Sequence, residues 1–530
     1  MKIAIIGSGL AAVSAAKSLI AREVKPIVLD VGEKLDPRRS ATIKKISSVD
    51  PEQWSDDERN LIASNPTIHN KDSFPQKLAF GSDYFYGQST ESAPVESTGG
   101  FPPFSYAKGG FSVGWGASVL PPDDCDLNGW PVKNDKLNKH YKEVLSNLPY
   151  AAKSDGLNKN FPLINSNYKS LPLTQGNKSL LVDLVNSGLL AKDRVVFGQS
   201  RLLVRVSDED NGVGCKHCGY CMSGCVYGCI YKSSQDIDRM LANNSIEYVP
   251  GVLVQSVQET KKMVKVAFTS KNGTHEALTF NRVFLAAGAL NSTRIILKSK
   301  QLYEQKVLLK STVGFVAPML RIKRSPINWP NTNTQPGIFL EYKVPNFSNH
   351  WVHTQLSTPN EMVLKKLNIS PTANGFIQNV KKYLAGHLMV ALCNIHSDHS
   401  NGYELELKKS LVDDNDKLVS NRQKINEPYQ AIKKASRQLF SIGRKISCYP
   451  ITPFIQNSIN TGGYHVGGSL PMKITPEKET DTNLLGNPKG CKRIHVVDSS
   501  VFPSIPGTTI GLLAMANAAR IVSEVDLLNK

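Results

Sequence analysis

The chain has 530 residues, 40% hydrophobic and 20% charged, a composition ordinary for a soluble globular protein and long enough for a large core in two intertwined lobes. Lys and Arg number 63 against 45 Asp and Glu, a net charge of +18. That excess favours anionic partners such as phosphorylated or nucleotide-linked substrates or an acidic membrane face, unless it is only a Lys-rich background. No apolar run nears 18 residues and no basic run carries interleaved aromatics, so neither a membrane span nor a nucleic-acid partner is expected. The first residues run straight into a glycine motif rather than a leader, so a cytoplasmic location is expected.

Lys2–Ile6 (KIAII) is a short Ile-rich apolar run and predicts a buried strand. Gly7, Gly9 and Ala12 follow as GxGxxA, residues 10–22 predict a helix, and Pro26–Asp30 (PIVLD) predicts a second strand. This βαβ opening ends on Asp30, about twenty residues past the glycines, where an acid meets a ribose hydroxyl. Gly7 permits the tight turn, Gly9 lets a pyrophosphate approach the backbone, and Ala12 lets the helix pack close to the strand. The helix N-terminus, with free N–H groups and a positive dipole end, would hold the pyrophosphate. The pattern predicts dinucleotide binding.

Residues 37–108 read as irregular and polar, with one helix at 51–64. GGFSVGWGA at 109–117 is a tight glycine-rich segment, and residues 130–145 predict an amphipathic helix. Residues 246–289 alternate in strand fashion and end in RVFLAAGAL, a buried strand followed by Ala287 and Gly288. Residues 305–460 hold further alternating strands, such as 387–395 and 403–407, and a helix at 427–446. That block has no nucleotide signature and is assigned to substrate binding. Near the C-terminus, TGGYHVGGSLPM places His465 in a glycine-rich turn. The strand HVVD then ends in Asp498, and PGTT opens an apolar helix that Thr508 or Thr509 can cap.

Five of nine cysteines fall in CKHCGYCMSGCVYGC: Cys215, Cys218, Cys221, Cys225 and Cys229. Such clustering in a cytosolic chain points to metal or redox chemistry rather than disulfides. The run to Cys225 is C-x2-C-x2-C-x3-C, a ferredoxin-like spacing, although Val226 stands where bacterial ferredoxins have Pro. Three readings stay open: an iron–sulfur cluster, a metal-free loop beside the cofactor, and zinc.

Taken with the fingerprint, these motifs resemble the GMC (glucose–methanol–choline) oxidoreductases, in particular their bacterial sugar-dehydrogenase and polysaccharide-cluster branches. The resemblance covers about 1–36, 105–145, 205–300 and 461–530. It implies an α/β fold: a Rossmann-like FAD-binding domain interrupted in sequence (1–130, 206–304, 461–530) and a substrate domain with an antiparallel sheet and flanking helices (131–205, 305–460). It implies FAD contacts from Gly7, Gly9, Ala12, Asp30, Gly109, Gly110, Ser112, Trp115, Gly116, Val252, Ala287, Gly288, Asp498, Thr508 and Thr509. The 109–117 segment has no His, so the FAD is expected to be non-covalent.

The resemblance places a catalytic base in an HxxG turn, here His465. It would take the proton of a sugar, glycoside or related alcohol while hydride leaves for flavin N5. The family's second residue, an Asn or His before the last helix, aligns with Gly507, which has no side chain to offer. Thr508, Thr509 or a residue of 305–460 is left to replace it. Electrons would pass to oxygen, a quinone or an acceptor protein, by way of a cluster if the cysteines hold one. Two other readings are a lipid or sterol alcohol oxidase, which an apolar pocket from 305–460 would favour, and an electron-carrying flavoprotein without alcohol chemistry.

Overall fold

The computed structural model describes residues 1–64, 80, 82–85, 95–97, 104–209, 212–327, 329–370, 373, 375–410, 416–423, 427–460 and 462–527. Its first sheet has five parallel strands in the order Ile494–Val496, Arg282–Leu285, Ile3–Ile6, Ile27–Leu29, Glu247–Val249. Ile3–Ile6 is central and buried on both faces, which explains a run of apolar residues without alternation. Gly7 follows at φ 102°, where a Cβ would come within 2.4 Å of the Ala286 carbonyl oxygen, so only glycine fits.

The helix Leu10–Ile20 then lies on the sheet through Ala11, Ala12, Ala15 and Ala16, all buried. Small side chains let it pack against the terminal helix Gly511–Glu524, and the two ends of the chain are tied there. Ser14 Oγ donates to Met515 O at 2.6 Å, and Arg22 donates to Val525 O at 2.8 Å.

The second large sheet is antiparallel and seven-stranded. Its main order is Cys448–Pro450, Val313–Arg321, Leu388–Ile395, Trp351–Ser357, Ile338–Lys343, Val195–Gln199, with Gln456–Asn457 beside Val313–Arg321. Burial alternates along Leu388–Ile395, as a strand with two different faces requires. Met389, Ala391, Cys393 and Ile395 enter a core shared with Phe315 and Ala317 and covered by the helix Glu427–Lys445. Leu388, Val390, Leu392 and Asn394 take the other face. Two smaller sheets complete the fold: one runs Val466–Gly467, Val307–Ser311, Tyr403–Lys408, Lys417–Arg422, Val95–Ser97, and the other is the meander Val252–Glu259, Val264–Ser270, His275–Phe280.

Four expectations shift. A helix Pro37–Ile46 occupies part of the stretch read as irregular; Asp36 caps it by accepting from Arg39 N, with Pro37 in the first turn. Much of 65–103 lies outside the described residues. The helix expected at 51–64 is a turn, Pro51–Gln53, and a separate helix, Asp56–Ile62, restarted by a capping box of Ser55 and Glu58. The helix expected at 130–145 is Asn134–Ser146; Trp130 precedes it and is held by Ser504, to whose Oγ its indole donates at 2.7 Å. The terminal helix starts at Gly511 with no side-chain cap, so neither Thr508 nor Thr509 caps it. Thr509 Oγ1 instead accepts from Leu120 N at 3.1 Å, and the buried Thr508 hydroxyl has no partner among the described residues.

Candidate active site

A cavity of about 990 Å³ runs from the ends of the parallel strands to the outer face of the antiparallel sheet. At one end stand Gly7, Ser8 and Gly9. Gly9 precedes the helix without a capping side chain, so the first N–H groups of that helix are left for an anion. No atom lies within 4 Å of where a Gly9 Cβ would be; the space over its backbone is open.

The glycine-rich segment folds over this end. Gly109 (φ 98°) and Gly110 (φ 54°) turn the chain into a short 3-10 turn, Gly110–Val113. Gly109 N donates to Ser8 Oγ at 2.8 Å, and a Cβ on Gly110 would sit 3.5 Å from Gly9 Cα. Ser112 Oγ donates to Gly109 O at 2.6 Å, and the Trp115 indole donates to Tyr231 O at 2.7 Å. Gly110, Ser112, Trp115 and Gly116 line the cavity, as do Val252, Ala287, Gly288 and Thr509. Ala12, Gly109 and Thr508 do not reach its wall; Ala12 is wholly inside the helix–sheet core.

Two aspartates mark the polar end. Asp30 is buried; burial pushes its carboxyl up to about 7, against hydrogen bonds from Ser8 and Tyr248 and the charge of Lys108. The Tyr248 hydroxyl donates to it at 2.9 Å. Asp498 lines the cavity too. Its carboxylate accepts from Gly288 N at 2.9 Å and from Ser292 and Ser500 hydroxyls, so it anchors the Ala287–Gly288 turn. Burial raises its carboxyl above the usual range.

His465 lines the same cavity with Gly463, Tyr464 and Val466. The strand Val466–Gly467 holds it by pairing with Lys310 and Ser311, and Thr312 N donates to His465 O at 3.1 Å. Its Nδ1 is buried without a hydrogen-bond partner among the described residues. Burial first, and then the neighbouring His353, lower its pKa to about 4. The ring is therefore neutral at physiological pH and can accept a proton.

Gly507 has a steric reason. A Cβ there would come within 2.9 Å of both Asn394 O and Trp351 O, backbone atoms of two paired strands. The same strands supply polar groups that spacing alone did not single out. Asn394 lines the cavity opposite His353 in the strand register. His353 is fully buried and bonds Glu341, itself fully buried, at 2.7 Å, while Gln355 on the same face reaches the cavity. The signal was available: His353 and Gln355 are two apart in WVHTQLS, hence on one face of a strand.

The five cysteines line one void of about 20 Å³, room for about one water-sized body. Cys225 and Cys229 sulfurs are 3.1 Å apart, and the Cys229 thiol holds Cys225 below the usual thiol range. Thr334 N donates to Cys221 Sγ at 3.3 Å. Among the described residues, the group of three His, Cys, Asp or Glu ligand atoms lying within 4.8 Å of one another is His350, His396 and Asp398, not the thiols. No three of the thiol sulfurs lie within 4.8 Å of one another, so they do not form a zinc tetrahedron. The histidine group is a poor metal site as well. The two imidazoles stack 3.7 Å apart at 5°, so one ion cannot lie in the plane of both. They form an ion-pair cluster instead, with His350 between Asp126 and Asp398.

No protein-family model matches the sequence, and no curated protein matches it. A solved structure does: pyridoxine 4-oxidase from Mesorbium loti, with a TM-score of 0.60 at 12% identity, over 99% of this chain and 98% of that one. The likeness is one of fold: the mixed parallel and antiparallel architecture of this chain is shared with that structure over nearly the whole of both chains.

Proposed function

We propose that the chain is an FAD-dependent oxidoreductase that oxidises a hydroxyl group, with His465 as the base. The observation that carries this reading is the single cavity joining an uncapped helix N-terminus at a GxGxxA turn to a half-buried, neutral histidine on its wall. FAD fits the residues present. Gly7, Gly9 and the open space over them suit the pyrophosphate, Asp30 suits a ribose, and the glycine-rich turn covers them. Bound there, FAD would accept the hydride that the alcohol carbon loses.

The chain's own part is positional and electrostatic. His465 presents the accessible edge of its ring to the cavity and takes the hydroxyl proton there, while its buried Nδ1 stays out of reach of the substrate; its low pKa keeps the ring unprotonated. Asn394 or Gln355 can hydrogen-bond the substrate oxygen in place of a side chain at 507. The division into an FAD domain and a substrate domain is supported by the sheets. Every strand of the parallel sheet lies in 1–130, 206–304 or 461–530, and every strand of the seven-stranded sheet in 131–205 or 305–460.

The wall from the antiparallel sheet sets Val316, Pro318, Leu388, Val390 and Leu392 beside four polar residues, Gln355, Ser357, Asn394 and Gln456. The contiguous apolar run favours an alcohol with a substantial apolar body, such as a lipid or sterol alcohol, whose hydroxyl end meets the few polar groups, over a free sugar with hydroxyls on every side. The pyridoxine 4-oxidase likeness supports an oxidoreductase acting on an alcohol group. Anaerobic flavin bleaching tests the reading. Long-chain or ring alcohols should bleach the flavin of the parent, and His465→Ala should keep FAD yet lose the bleaching. If only NAD(P)H or a reduced protein bleaches it, the chain is an electron carrier and the alcohol reading is wrong.

A further inference from the structure

The helix Phe376–Ala385 is built inside out. Phe376, Ile377, Val380, Tyr383 and Leu384 recur at the spacing of one helical stripe, which ordinarily faces a core. Here all five are exposed, Phe376 by 84%, Ile377 by 69% and Leu384 by 59%, and Ala385 alone is buried. The polar side chains turn back to the protein: Gln378 and Lys381 donate to Asn368 O, and Lys382 donates to Ala373 O. The fold does not need this stripe, and an apolar patch of this kind on a soluble surface marks an interaction site.

The charge around the stripe selects the partner. Residues 361–388 carry Lys365, Lys366, Lys381 and Lys382, and their single acid, Glu361, is buried and accepts from Ser223 N and the Thr334 hydroxyl. Arg324, exposed, lies over the Tyr383 ring at 4.5 Å. The whole chain carries +18. The site opens beside this surface. Lys366, Leu367 and Phe454 line the cavity and are exposed, and the short helix Glu361–Lys366 shares an apolar contact, Leu364 with Ala385, with the inside-out helix.

We propose that Phe376–Ala385 seats the protein on an anionic lipid bilayer. The apolar stripe enters the acyl boundary, exposed Lys365 and Lys366 meet headgroup phosphates together with Lys381 and Lys382, which exchange the Asn368 and Ala373 carbonyls for them, and the cavity rim opens at that surface. An apolar substrate then enters from the bilayer without crossing water; this last clause rests on the oxidoreductase reading, and the docking does not.

Vesicle co-sedimentation of the purified chain tests it, using phosphatidylcholine vesicles with and without phosphatidylglycerol at low and high salt. The parent should bind the anionic vesicles, and salt should weaken the binding. Phe376→Ser/Ile377→Ser/Leu384→Ser should lower partitioning by at least about tenfold with unchanged melting temperature. Lys381→Gln/Lys382→Gln should lower it by about five-fold per lysine. Equal binding by the triple variant, or none by the parent, overturns the proposal. So does a parent dimer on size exclusion that the triple variant dissolves, since the stripe would then be covered by a second copy. A protein that binds vesicles but whose flavin no alcohol bleaches keeps the docking and loses the oxidoreductase reading.

Discussion

Replacing Gly507 by Ala probes the strand–turn contact behind the site. A Cβ at 507 would lie 2.9 Å from both Asn394 O and Trp351 O, where ordinary contact begins at 3.4 Å, so about 0.5 Å must be found twice. Neither neighbour is a flexible side chain. Both oxygens belong to the paired strands Trp351–Ser357 and Leu388–Ile395, whose buried face is packed under a helix. The turn itself is held to the same region, since Ser397 N donates to Ile505 O at 2.9 Å and Ile505 N donates to Ser397 Oγ at 2.8 Å. The strain therefore has no cheap outlet, and overpacking of this type costs about 1–3 kcal/mol. No positive φ is involved at 507, so the cost is steric alone. Gly507→Ala should lower the urea midpoint of the apo-protein without changing the slope of the transition. Gly507→Asn should do so at least as strongly and should not raise alcohol-driven flavin reduction. An alanine variant as stable as the parent would refute the reasoning. So would an asparagine variant that gains activity, because position 507 would then have room for the companion residue.

Three further outcomes are expected. Asp30, with its carboxyl pushed up to about 7, binds a proton in the fold that the unfolded chain has lost, so the apo-protein should lose stability as pH rises from about 4 to 7. FAD affinity should move the other way, rising through pH 7 as the carboxylate forms, and Asp30→Asn should flatten both profiles in denaturation and fluorescence-quenching titrations. His465→Ala should cut flavin reduction by about 10²–10⁴-fold with FAD still bound. Because burial holds His465 near 4, kcat/KM of the parent should stay flat on the acid side down to about pH 5; an inflection near 6.5 would contradict the burial assigned to the ring. Anaerobically purified protein should carry no stoichiometric iron or acid-labile sulfide, and a full complement of both would show that the five-cysteine void opens to take a cluster.

The strand–turn–helix–strand opening was legible because its physics is local. A strand, a glycine turn and a helix within about thirty residues leave little freedom, and Asp30 falls where its spacing puts it. The parallel sheet drew two neighbouring members, Arg282–Leu285 and Ile494–Val496, from distant sequence, and both announced themselves as buried apolar runs. The helix Pro37–Ile46 was missed although Asp36-Pro37 is an N-cap signal, because few apolar residues follow it and only Ile46 is buried. The terminal helix was placed too early for the opposite reason. Thr508 and Thr509 look like caps, but Leu120 N claims the Thr509 oxygen from another element. Asn394, His353 and Gln355 were out of reach of local patterns, since what joins them is strand register across some forty residues of chain.

Gly507 changes meaning once that register is known. Read along the sequence, it is a hole in a motif, the place where a second polar side chain ought to be. Read in the fold, it is the point at which the turn is pressed against the backbone of Asn394 and Trp351, and Asn394 is also a residue of the cavity wall. The antiparallel sheet fills the space that a side chain at 507 would take, and its own polar residue Asn394 lines the cavity. A base in a glycine turn and a hydrogen-bonding partner can thus both be present when the partner comes from a strand rather than from the turn before the last helix. By the same logic the rest of that strand face, Leu388, Val390 and Leu392, reaches the cavity with Asn394 and leads apolar side chains toward the rim at Leu367 and Phe454. The cavity therefore grades from anion-binding backbone at Gly9 to exposed apolar side chains at its mouth. That gradient orders its proposed contents: the nucleotide at the polar end, the reacting hydroxyl beside His465, and the apolar body of the substrate trailing toward the helix Phe376–Ala385.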